Sequence, residues 1–192
     1  MKLKRILSLA LSGVLAVSML TACGTGGISG ALSDRSSSFR SELNGAQAML
    51  KYEAKDHDLN DAIYTVAGSL TEAQAKTNGV NENVESTVQQ LTGYHEPSLS
   101  PWKGTDAKET GTYVKVFVFD TDDLKYDTMK EVAAAVAEVL APMKLDADEA
   151  KADGVSYSGD VAAYKKTVGK GESAINALVV GVAITQTVES AK

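Results

Sequence analysis

The sequence predicts an α+β fold, with N-terminal helices followed by a β-α-β-β unit whose helix packs on a small, mainly antiparallel sheet. Three observations carry that reading. Apolar positions between residues 39 and 92 recur with the period of an α-helix. Thr112 to Phe119 is dominated by valine and aromatic residues, and Ala177 to Val188 is a long apolar run whose β-branched content and central Gly181 favour a strand.

Taken in order, the first helical signal is Phe39, Leu43, Ala46 and Leu50, spaced at i, i+4, i+7 and i+11 on one face. Asp58-Leu59-Asn60-Asp61 reads as the start of a second helix, with Leu59, Ile63, Val66 and Leu70 on its buried stripe. A third, short helix carries Val84, Val88 and Leu91, with Asn81 as N-cap and Gly93 as its stop. Residues 93–111, GYHEPSLSPWKGTDAKETG, hold two of the three prolines and three glycines. Such a cluster marks a loop, here the junction between a helical segment over 39–92 and an α+β unit over 112–192.

The second half opens with the clearest strand. Val114, Val116 and Val118 alternate with Tyr113, Phe117 and Phe119, so both faces are apolar and both need cover. Only Lys115 interrupts, with a stem that can lie on apolar surface while its amine reaches water. Asp127 or Thr128 caps the following helix, and Glu131 completes a capping box with Thr128. Val132, Val136, Val139 and Leu140 form the buried stripe, and Pro142 ends it. After an acidic connection from Leu145 to Gly154, Val155 to Val168 reads as one or two irregular strands, and Gly169-Lys170-Gly171 supplies a hairpin turn. In the last strand Leu178, Val180, Val182 and Ile184 point one way, while Val179, Gly181, Ala183, Thr185 and Thr187 point the other. The N-terminal helices are expected on the sheet face opposite the helix of the β-α-β-β unit.

The first 22 residues are of another kind. Lys2, Lys4 and Arg5 precede an apolar run from Ile6 to Leu20, broken only by Ser8, Ser12, Gly13 and Ser18. That run falls short of the roughly 20 residues a membrane span needs, so it reads as the apolar core of a signal peptide. Leu20-Thr21-Ala22-Cys23 follows, holding the chain's one cysteine. This stretch resembles the lipobox of bacterial lipoproteins, in which a branched apolar residue and two small ones precede an obligatory cysteine. The resemblance implies cleavage before Cys23, a diacylglycerol thioether on its sulfur, and location at the extracytoplasmic face of the cell membrane. Two acyl chains anchor a protein stably where one does not. The Gly- and Ser-rich residues that follow, as far as Ser38, have the composition of a flexible tether.

The net charge of −6 becomes −9 once Lys2, Lys4 and Arg5 leave with the leader. An acidic surface argues against nucleic acid, whose binding depends on cations neutralising phosphates, and offers no polybasic attraction to anionic lipid. With its only thiol acylated, the chain has neither a disulfide nor a thiolate nucleophile.

Asp120, Asp122 and Asp123, with Asp127 beyond, are the best metal candidates, since hard cations need converging carboxylates. A calcium loop calls for Asp or Asn at its fifth place, Gly at its sixth and an acid at its twelfth; Leu124, Lys125 and Glu131 stand there, and the pattern fails at the fifth and sixth. The expected role is a solvated strand-to-helix loop. Asp146, Asp148, Glu149 and Asp153 form a second acidic patch with the same weakness. Ser100-Pro101-Trp102-Lys103 has the S-x-x-K spacing of penicillin-recognising enzymes, but neither S-D-N nor K-T-G accompanies it. His57 and His95, the two histidines, sit in different segments, with no G-x-S-x-G or H-E-x-x-H frame around them.

No catalytic, metal or cofactor-binding residue is assigned on these grounds, and no cofactor is expected. Tyr94, His95 and Trp102, aromatic or amphipathic residues in the junction, are the candidate ligand or partner contacts. The expectation is a membrane-anchored module that binds a protein or cell-wall partner rather than an enzyme. Two alternatives stand: a small cell-envelope hydrolase, which needs Ser100, His95 or the acids around Asp122 to converge, or a metal- or solute-binding component of an uptake system.

Overall fold

The computed structural model describes residues 31–94, 110–143 and 154–188. In chain order the elements are β1 (Ser33–Asp34), α1 (Ser36–Ala46), β2 (Tyr52–Glu53), α2 (His57–Gly68), α3 (Glu72–Ala75), β3 (Gly79–Val80), α4 (Glu82–Thr92), β4 (Gly111–Asp120), α5 (Met129–Leu140), β5 (Val155–Val168) and β6 (Ile175–Val188). Short 3-10 turns occupy Ala141–Met143 and Gly171–Ser173.

Three long strands set the frame. β5 and β6 form a hairpin in unbroken antiparallel register from Val155↔Val188 to Val168↔Ile175. Its turn relies on Gly169 and Gly171, whose φ values of 86° and 62° suit glycine. β4 lies on the other side of β6, antiparallel from Gly111↔Gln186 to Asp120↔Ala177. Three two-residue strands complete the sheet, β1 and β2 on the outer edge of β5 and β3 on that of β4. All pairs are antiparallel except β2 with β5. The fold is α+β, as the sequence predicts, and β5 is one continuous strand rather than two irregular ones.

β6, central in the sheet, is buried on both faces, and its alternation divides the core as expected. Leu178, Val180, Val182 and Ile184 join Phe117, Phe119 and Val161 under α5. Val179 and Ala183 join Val114, Val116 and Val118 under α2 and α4. The expectation that all N-terminal helices cover the second face is corrected for α1. Its Phe39 and Leu43, fully buried, pack beside Val132 and Val136 of α5 on the first face. The helical period of α1 specifies a buried stripe but not which side of the sheet receives it. The chain decides this at the β5 edge. Before α1, the Arg35 N–H donates to the Ala163 carbonyl, and the Ser36 hydroxyl accepts from the Ala163 N–H at 3.0 Å. After α1, β2 returns to Gly159 and Asp160 of the same strand. Each such buried apolar side chain contributes about 1.5–3 kcal/mol.

Residues 33, 34 and 36–38, read from composition as tether, are therefore strand and helix. Helix ends follow the sequence more closely. Asn81 caps α4 by accepting from the Val84 N–H at 3.1 Å, and Gly93, at φ 72°, closes it on Gln89. Thr128 and Glu131 form the capping box of α5. Two stripe residues turn outward: Leu91 is 47% exposed and Val139 41%, each displaced around its helix from the buried pair before it. Lys115 reaches Glu85 of α4 at 3.3 Å instead of simply lying toward water.

Candidate binding surface

Tyr94 is the one member of the predicted contact set among the described residues; His95 and Trp102 lie outside them, as do Cys23, Ser100, Lys103 and the acids from Asp146 to Asp153. Gly93 ends α4 and turns the chain so that the Tyr94 hydroxyl donates to both carboxylate oxygens of Asp56, at 2.8 and 2.7 Å. Asp56 is already committed: its Oδ1 accepts from the Leu59 N–H at 3.0 Å and caps α2. The N–H groups of Lys55 and Asp56 donate in turn to Asp160 Oδ1 on β5. Partial burial first, then the Asp56 hydrogen bond and the charges of Asp56, Asp58 and Asp160, push the Tyr94 hydroxyl well above the ordinary tyrosine range. It stays protonated as a donor, tying the end of α4 to the start of α2 and to β5. His57 begins α2 and is exposed beside this knot.

A second concavity was not anticipated from the sequence. Between α5 and the β3–β4 edge lies a groove of about 520 Å³. The rings of Phe117 and Phe119 stack beneath it with centroids 6.3 Å apart, and Tyr126 tilts onto Phe119 at 5.0 Å. Ala135 and Val139 form the α5 wall, and Lys125 stands at the rim with its Nζ 5.2 Å from the Tyr126 ring centre. The usable signal was the alanine run of α5, which leaves room beside the helix. Phe117 and Phe119 themselves are at most 1% exposed, so they floor the groove while Lys125, Tyr126, Glu131 and Glu138 supply its polar lining.

The chain matches no family model, no curated protein and no solved structure.

The acidic loop holds itself together. Asp122 accepts from both the backbone N–H and the side-chain amide of Asn176, each at 2.8 Å, and these bonds hold its carboxyl below the ordinary carboxylate range. Asp123 accepts from the Lys125 N–H at 2.9 Å and the Asn78 amide at 3.1 Å, while Asp120 accepts from the Asp122 N–H at 2.9 Å. The Asn78 amide oxygen accepts from the Asp120 N–H at 2.7 Å. Asp122 and Asp123 thus pin the end of β4 to β6 and to the approach to β3, while the Asp120 carboxylate closes the loop on itself. Among the described residues, no three His, Cys, Asp or Glu side chains come together as a metal's ligands would.

Proposed function

We propose that the protein is a lipoprotein held at the extracytoplasmic face of the cell membrane through diacylglyceryl Cys23, with a domain that binds a protein or cell-wall partner rather than catalysing a reaction. The observation that carries this reading is the leader itself: three cations, an apolar run too short to span, then Leu20-Thr21-Ala22-Cys23. One feature of the domain supports it. The polar groups of the Tyr94–Asp56–Asp160 knot and of the acidic loop are engaged in internal hydrogen bonds that hold elements together.

Metabolic labelling with an alkyne fatty acid tests the anchor. The wild-type chain should carry label and sediment with membranes, while Cys23→Ala should lose the label and retain its leader. Equal labelling of the two chains would sink the anchoring claim. Incubating the anchored protein with purified cell-wall polymer tests the rest, since release of soluble fragments would move the reading to a hydrolase.

A further inference from the structure

The point at which the chain enters the domain also orients it. Ser33 pairs with Lys165 and Asp34 with Tyr164 in antiparallel register. The chain upstream of Ser33 therefore comes from the side of Val168 and the β5–β6 turn, not from the Val155 end. Leu32 agrees: its Cδ1 lies 3.8 Å from where a Cβ of Gly68 would be, at the C-terminal end of α2. Glu72 of α3 closes over the same end, with its carboxylate oxygen 3.0 Å from a Cβ built on Gly169. At the opposite end of the sheet stand Gly111↔Gln186, Gln186↔Tyr157 and Val155↔Val188.

Dimensions make the asymmetry matter. From Val155 to Val168 a strand rises about 43 Å at roughly 3.3 Å per residue. Ten residue steps separate Cys23 from Ser33. A Gly-rich chain of that length has a typical end-to-end distance of only about 17 Å, against a fully extended ceiling of about 36 Å. Turning the far end toward the bilayer would require that stretch to run nearly straight alongside the domain. The exposed tip carries Lys170 against Glu172 and, from α3, Glu72, so charge attraction is not what brings it to the lipid.

Resting on the lipid anchor proposed above, we propose that the domain stands on the membrane by its β5–β6 turn and α3, with the Val155–Val188 end of the sheet farthest from the bilayer. The partner of the tip is then a lipid surface.

The test uses Lys170→Cys and Ser156→Cys, both exposed positions, at opposite ends of β5, in a chain whose one native thiol would be acylated. Each lipidated variant, purified from membranes and labelled with a donor dye, is inserted into phosphatidylcholine vesicles carrying a headgroup acceptor. Energy transfer should be several-fold greater from position 170 than from 156, and unchanged between low and high salt. Equal or reversed transfer, with Cys23 shown by mass to be lipidated, would overturn the orientation alone. Absence of lipid on Cys23 would overturn the anchor and this inference with it.

Discussion

Gly181 and Ile63 meet where α2 crosses the central strand: a Cβ placed on Gly181 would lie 2.6 Å from Ile63 Cδ1 and 2.7 Å from its Cγ1. Leu59 Cδ1 follows at 3.1 Å, and both α2 residues are fully buried. The missing side chain lets the helix seat directly on the backbone of β6.

Gly181→Ala should therefore destabilise the domain by about 1–3 kcal/mol, the range for overpacking a filled core. Thermal melts measure it. Adding Ile63→Val removes the nearest atom, so the double variant should lose less than the two single variants summed; strictly additive losses would show that the overlap is not the cause.

Tyr52 is fully buried, and among the described residues its hydroxyl has no hydrogen-bond partner. Its ring covers Gly159, where a Cβ would fall 2.5 Å from Tyr52 Cδ1. Tyr52→Phe keeps that contact and removes the cost of burying an unpaired hydroxyl, so it should raise stability by about 1 kcal/mol. The check is a higher urea midpoint with the slope unchanged.

The same residue predicts behaviour in alkali. Burial pushes the Tyr52 hydroxyl above its ordinary value of 10.0, and burial likewise raises Tyr157 and Tyr164. A group whose native pKa is raised ionises more readily in the unfolded chain. Its contribution is complete below pH 10.0 and is lost progressively as the pH climbs above it. Stability should fall from about pH 10 upward, and less steeply in Tyr52→Phe; identical alkaline profiles would remove Tyr52 from the account.

The α5 capping box gives a local test. Thr128 Oγ1 accepts from the Glu131 N–H at 3.2 Å, and Glu131 Oε2 accepts from the Thr128 N–H at 3.2 Å. Thr128→Ala should cost about 1 kcal/mol by denaturant titration, whereas Thr128→Ser, which keeps the acceptor, should cost little.

Asp122 and Asn176 should be energetically coupled. A double-mutant cycle with Asp122→Ala and Asn176→Ala should give an interaction of about 0.5–1 kcal/mol near neutral pH. The hydrogen bonds from Asn176 lower the Asp122 pKa, so their contribution is present above the ordinary 3.8 and disappears as the pH falls well below it. A coupling that persists in acid would show that the carboxylate charge plays no part.

Local pattern alone determined much of this molecule. Alternation identified β4 and both faces of β6, helical spacing identified α1, α2, α4 and α5, and the caps at Asn81 and Thr128 were read directly, because these features depend on neighbours within a few residues. Cys23 and its leader are likewise a purely sequential signal. Tertiary structure decided what depends on distant partners. A two-residue strand such as β1, β2 or β3 has no period of its own and exists only through bonds to β4 or β5. The placement of α1 beside α5 and the tie from Tyr94 to Asp56 arise the same way. So does the direction from which the chain enters, since register is a relation between segments more than a hundred residues apart and neither segment encodes it alone.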